Sequence, residues 1–229
     1  MYPTPQEKAV IEEAEQMMVD TMARYDPSHD RYHVYRVRKT AMKLARALPA
    51  GKVDLLVVEL AALLHDVLDK KYVSAEQAAD PYQFFLPFFE RMSTKHGVDL
   101  ISDNRGKLVA KVIDNVSWST EKRLREKGLW TEWHEGCLEL HCVQDADRLD
   151  AIGAFGVLRC AAYSSVTNRP LHTGADDPNV SDTAIQHFHD KLVHIRGLLK
   201  TELAKEMGDK RHKVLTDFLA AIEDEYAED

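Results

Sequence analysis

Three short stretches of this 229-residue chain hold side chains that can grip a metal ion. They are His29 and His33 in His29-Asp30-Arg31-Tyr32-His33, the adjacent pair His65-Asp66, and the acids Asp145, Asp147 and Asp150. His29 and His33 stand four apart and share one helix face. His65-Asp66 ends the apolar run Ala61-Ala62-Leu63-Leu64, where a charge that loses water needs a partner or a cation. Taken alone, such a pair reads as a helix-end histidine favoured by the macrodipole beside a solvated acid. The third stretch changes that balance. Its three carboxylates fall within six positions of an otherwise apolar helix, so one must approach the core side, where like charges without a cation repel. A divalent ion held between three helices satisfies all of these groups together.

The elements that must position them are helical. Apolar stripes run through Val10, Ala14, Met17, Met18 and Met22, and through Val34, Val37, Ala41, Leu44, Ala45 and Leu48. A third helix is expected over Val53–Leu68, after the Pro49-Ala50-Gly51 break. It is apolar on most sides, which suits the centre of a bundle. Further helical patterns cover Pro81–Lys95, Ser102–Val116, Trp133–Ala162 with a break near Gly153, Ser181–Met207 and Lys210–Tyr226. Loop signals fall at Asp26-Pro27-Ser28, Tyr72–Pro81, Lys127-Gly128 and the Pro/Gly/Asp-rich Ser164–Asn179 segment, expected to be a mobile loop. Strand alternation is nearly absent, and no repeat or linker divides the chain. The expectation is an all-α protein, one helical bundle over residues 1–229, with its motifs in 25–160 and C-terminal helices in 181–227.

Composition narrows the function classes. Hydrophobic residues are 45% and charged residues 30%, as in ordinary globular proteins. Lys plus Arg is 30 against 38 Asp plus Glu, a net charge of −8, so a nucleic-acid polymer is a disfavoured partner. Small anions stay open, because a local cluster of cations overrides the net sign. Cys137, Cys142 and Cys160 match no zinc or redox spacing and read as buried thiols. The N-terminus carries acids throughout its apolar pattern, unlike a signal or transit peptide, and no stretch approaches a membrane span. The expected location is the cytosol, with no membrane partner. A monomer and a homodimer both fit the sequence.

The ordered set His33, His65-Asp66 and Asp147 resembles the H…HD…D signature of the HD superfamily of metal-dependent phosphohydrolases. The likeness extends through Ser28-His29-Asp30, Arg36-Val37, and Gln144-Asp145-Ala146-Asp147-Arg148-Leu149-Asp150-Ala151-Ile152-Gly153 with Phe155-Gly156 and Arg159. It continues through His187-Phe188-x-Asp190-Lys191-Leu192. It spans roughly Tyr25 to Glu225 and fits Pro81–Gly128 only loosely, and it is nearest to the bacterial and fungal branch of nucleotide pyrophosphohydrolases. The resemblance implies an HD-type helical bundle with one divalent metal on His33, His65, Asp66 and Asp147. Asp145 is the alternative fourth ligand, and Asp150 is expected to orient a neighbour or cap an arginine. Nitrogen and oxygen ligands together suit Mn²⁺ first, then Fe²⁺, Co²⁺, Ni²⁺, Zn²⁺ or Mg²⁺. Asp69 takes the role of general base, and Lys70, Arg148 and Lys191 those of substrate-binding cations.

The implied reaction is hydrolysis of a nucleoside (deoxy)triphosphate to monophosphate and pyrophosphate through a metal-activated water. A nucleotide monophosphatase or cyclic-nucleotide phosphodiesterase is the alternative within the same chemistry. A nucleotide-binding regulatory module with a structural metal is the alternative outside it.

Overall fold

A computed structural model describes residues 2–68, 73–74, 76 and 78–227. Eleven α-helices and two short 3₁₀ segments make up the regular structure of the described residues, without a strand. The first helix, α1 (Pro5–Met22), starts on a capping box in which Thr4 and Glu7 satisfy each other's backbone amides. Asp30 caps α2 (Arg31–Ala47) by accepting from the amides of Tyr32 and His33, which fixes His33 in the first turn. Asp54 caps α3 (Leu55–Leu64) in the same way. Every residue from Leu56 to Leu64 is buried, and α3 packs on α1 and α2 as well as on α5 (Arg105–Asn115) and α8 (Leu138–Asp150). The near-uniform apolar pattern therefore has a direct cause: α3 has neighbours on all sides. It is shorter than expected, because helical pairing stops at Leu64 and His65 to Leu68 continue as turns.

Phe85, Phe88, Phe89 and Met92 of α4 (Pro81–His96) point into the core, so the aromatic cluster is packing. The helix after α5, α6 (Trp118–Glu126), has no apolar stripe. Glu121 is its one buried residue, which is why periodicity alone does not reveal it. A single turn, α7 (Glu132–Gly136), leads into α8. The break expected near Gly153 separates α8 from α9 (Gly153–Val166). Gly153 takes φ +76°, and a Cβ at Gly156 would lie 2.4 Å from the carbonyl oxygen of Ala151. Glycine at both positions lets the chain turn on itself.

The C-terminal region corrects the expectation of a continuous helix over Ser181–Met207. It holds a 3₁₀ turn at Val180–Asp182, α10 (Ala184–Asp190), a 3₁₀ segment at Leu192–Leu198, and then α11 (Glu202–Tyr226). The physical reason lies on α8. The buried Asp145 carboxylate accepts the backbone amides of Lys200 and Thr201 and the Thr201 hydroxyl, at 2.7–3.1 Å. Those amides are unavailable to a helix running through them, so a new helix begins after Thr201. Asp145→Ala leaves these donors buried without an acceptor and is expected to lower unfolding free energy by about 2–4 kcal/mol, measured by urea denaturation.

Candidate metal centre and its cleft

Three helix ends bring the ring nitrogens and carboxylates together. His33 comes from the first turn of α2, His65-Asp66 from the turn after α3, and Asp147 from the last turn of α8. Asp66 Oδ2 lies 3.4 Å from Nε2 of both His33 and His65, and Asp147 Oδ1 lies 3.5 Å from His33 Nε2. The ligand atoms of His33, His65 and Asp66 all lie within 4.8 Å of one another. His33 Nε2, His65 Nε2 and Asp66 Oδ2 are buried, and none of the three has a hydrogen-bond partner.

The other ring nitrogen of each histidine settles which atom carries the lone pair. His65 Nδ1 donates to the Ala62 carbonyl at 2.9 Å, and a carbonyl can only accept. His33 Nδ1 donates at 2.7 Å to Asp150 Oδ2. Both Nε2 atoms therefore present lone pairs toward a carboxylate oxygen when the rings are neutral, an arrangement that repels unless a cation sits among them. The donor set thus fits a divalent ion: two imidazole nitrogens, one carboxylate within reach of both, and a second carboxylate beside His33. Burial would raise the Asp66 carboxyl, but when His65 and His33 carry protons their positive charge holds it well below the usual carboxylate range, so this oxygen is stabilised by positive charge beside it.

Asp150 is the support under His33. Arg36 grips it with two bonds, Nε to Oδ1 at 2.7 Å and Nη2 to Oδ2 at 2.9 Å, and Arg159 approaches at 3.4 Å while also donating to the Ser28 carbonyl. Burial would raise the Asp150 carboxyl, but His33 and Arg36 keep it ionised and well below its ordinary value. Asp145 is not a ligand here. It faces Lys200 and Thr201, on the side of α8 turned away from His33.

The centre opens into a cleft of about 470 Å³. His29, Arg148, Arg159 and Lys191 line it together with the candidate ligands. His29 Nδ1 pairs with Ser28 Oγ at 2.6 Å. Arg148 is 2% exposed; its Nη2 binds Glu121 at 2.6 Å and its Nη1 binds the Leu198 carbonyl, while its Nε has no partner. Lys191 stands at the rim, 5.4 Å from the Trp118 ring. Asp69 and Lys70 lie outside the described residues. Asp114, Trp118 and Arg123 line the cleft from the region that the motif likeness fits loosely. The available signal was local, a run of polar side chains from Ser117 to Arg123 closing an apolar helix.

Glu121 ties α6, and with it this wall, to the rest of the molecule. Its carboxylate binds Arg148, Lys200 at 2.7 Å and Arg125 at 2.9 Å. Burial would raise its pKa, but Lys200 and Arg148 lower it to about 2, from an ordinary 4.5. Several cations share one anion, so the balance runs the other way for Lys200, which burial and Arg148 push down to about 8. A carboxyl whose folded pKa is depressed adds stability that is complete above about pH 4.5 and disappears as pH falls toward about 2. Glu121→Gln should be less stable than the parent at pH 6, and the gap should close across that acid window in urea titrations. For the metal centre, Asp150→Asn is expected to weaken divalent-ion binding about 10–100-fold by calorimetry while the far-UV spectrum stays unchanged.

Comparison with known proteins agrees with this geometry. The HD domain family matches residues 31–152, which run from the first turn of α2 past the last acid of α8. The Bacillus subtilis protein YpgQ is 30% identical over 200 residues, covering 85% of this chain and 83% of YpgQ. Its crystal structure in complex with ADP superposes with a TM-score of 0.68 at 22% identity, over 97% of this chain and 98% of that one. An HD-superfamily hydrolase from Bacillus thuringiensis superposes with a TM-score of 0.71 at 26% identity, over 97% of this chain and all of that one. With its histidines and aspartates gathered at one point inside the matched region, this chain belongs to the HD domain family and has the fold of the HD-superfamily hydrolases.

Proposed function

We propose that this chain is a metal-dependent phosphohydrolase that cleaves nucleoside triphosphates between the α and β phosphates, releasing a monophosphate and pyrophosphate. The observation that carries the reading is the meeting of three buried, unpartnered ligand atoms, from His33, His65 and Asp66, at the floor of a cleft. Asp147 would be the fourth ligand, and Mn²⁺ is the ion best suited to the set. When bound, the ion supplies Lewis-acid polarisation of phosphoryl oxygens and acidifies water. That the related YpgQ has been crystallised with ADP supports a nucleotide as the ligand class.

The remaining work falls to this chain's own side chains. Asp150, braced by Arg36, holds the His33 ring so that Nε2 keeps its lone pair aimed at the centre. Lys191 brings positive charge to the cleft, where charge on non-bridging phosphate oxygens must be offset, whereas Arg148, expected to share that task, is buried against Glu121 and the Leu198 carbonyl and instead anchors the cleft wall. Leu68, Pro81, Ile113, Val116 and Ile195 give the cleft an apolar portion suited to a base and sugar. Asp69 follows Asp66 by one helical turn's worth of sequence and serves as the base that takes a proton from the attacking water; Lys70 beside it contributes charge to the phosphates.

The test is a panel of nucleoside triphosphates with Mn²⁺, before and after EDTA, with the phosphorus products identified. Pyrophosphate release that EDTA abolishes is expected. Orthophosphate as the first product would mean cleavage of the terminal phosphate and overturn the α–β assignment, turnover of monophosphates alone would replace this reading with a monophosphatase, and no turnover at full metal occupancy would replace it with a binding module. Asp66→Ala and His65→Ala are expected to lose metal and activity together. Asp69→Asn is expected to keep the metal and lower kcat by about 100-fold or more, and full activity in that variant would dismiss its role as base.

A further inference from the structure

Beside the metal cleft lies a second hollow of about 330 Å³, where Arg169, Tyr163 and His187 have no part in the reaction described above. The two are continuous. His29, Ser119, Ala151, Arg159 and Lys191 line both. Their chemistry differs sharply. The metal cleft carries Asp66, Asp114 and Asp147 among its lining residues, whereas among the described residues no carboxylate lines the annex. In its place stand Arg159, Arg169 and Lys191, with the imidazoles of His29 and His187.

The annex is built by secondary structure. Arg159 and Tyr163 are one turn apart on α9; His187 on α10 is four residues before Lys191, just past its end. Arg169 is delivered by the turn that ends α9. Asn168 adopts φ +55°, and the Arg169 amide donates to the Ser164 carbonyl at 2.8 Å, folding the chain back over the hollow. The next residues are pinned to α10, with the amides of Ala184 and Ile185 donating to the carbonyls of Pro170 and Leu171. Arg169 pairs with the outward Asp182 at 3.2 Å, and its guanidinium lies 5.7 Å from the Tyr163 ring. Burial first, and then Lys191 and Arg169, lower the pKa of His187, in keeping with a positive local potential in a protein of net charge −8.

We propose that this annex seats the two distal phosphates of a nucleoside triphosphate, with Arg169 as the residue that makes the site selective for a polyphosphate tail. The inference rests on the phosphohydrolase reading. It adds that the reacting α-phosphate lies at the metal centre, the base lies toward the apolar part of that cleft, and the departing pyrophosphate lies among the cations. Arg159 bridges the two compartments: it touches Asp150, which supports the ligand His33, and it also faces the annex. A planar guanidinium such as that of Arg169 can bind phosphate oxygens with two parallel bonds, which suits it to this task.

The test uses pyrophosphate as the probe on metal-free, full-length protein, read by calorimetry. Wild-type protein is expected to bind it with a Kd below about 1 mM, and Arg169→Gln to bind it about tenfold or more weakly. Asp182→Asn removes the counter-ion of Arg169 and should bind as tightly as wild type or tighter. An unchanged Kd in Arg169→Gln overturns the proposal, and so does an equal loss in Asp182→Asn, which would mean that the ion pair is only a structural clip. Turnover gives the second readout. Arg169→Gln should raise KM for a triphosphate but not for a nitrophenyl ester of a nucleoside monophosphate, which has no distal phosphates; equal changes for both substrates also overturn it. Pyrophosphate binding that depends on Arg169, without pyrophosphate release from any triphosphate, would uphold the anion seat and sink the hydrolase reading instead.

Discussion

The arrangement at the end of α3 depends on one electrostatic constraint. Two imidazole lone pairs and a carboxylate oxygen are buried within a few ångströms, and none has a hydrogen-bond partner. An isolated chain avoids this, because unpaired buried polar atoms each cost on the order of 1–3 kcal/mol. A cation at their meeting point removes the cost and converts it into binding free energy. The rest of the fold holds those atoms where they would otherwise not stay. Asp30 caps α2 so that His33 sits in its first turn, and α3 is enclosed on every side so that His65 and Asp66 emerge at a fixed point.

Helix α8 shows how one element can serve three needs. Its three aspartates point in different directions because successive residues rotate by about 100°. Asp145 faces the start of α11 and interrupts the C-terminal helix. Asp147 faces Nε2 of His33, and Asp150, nearly one turn further, reaches back to His33, Arg36 and Arg159. The neighbouring Arg148 points to Glu121 and anchors α6, which carries Trp118 and Arg123 to the cleft. Ligand geometry, cleft wall and C-terminal packing are thus coupled through a helix of 13 residues.

Much of this was legible in the sequence, for physical reasons that can be named. The continuous apolar character of Leu55 to Leu64 reports burial on all sides, and the structure has neighbours on all of them. The HD-type bundle follows from the order of His33, His65-Asp66 and Asp147. The split between Asp145 and Asp147 was available in principle, since two helical positions differ by about 200° and cannot share a ligand site. The division of Ser181–Met207 was not available, because it depends on a carboxylate more than fifty residues earlier capturing the amides of Lys200 and Thr201. Helix α6 was hidden for a similar reason. What holds it is a buried ion pair rather than an apolar face, and hydrophobic periodicity has no register for that.

His33, His65 and Asp66 are proposed to close around a single divalent ion. Anomalous diffraction at the manganese edge, from crystals grown with Mn²⁺, tests it most directly. One strong peak is expected at coordination distance, about 2.0–2.4 Å, from Nε2 of both histidines and from an Asp66 oxygen. Full-occupancy manganese elsewhere, or those three side chains bonded only to protein and water at saturating Mn²⁺, would contradict it.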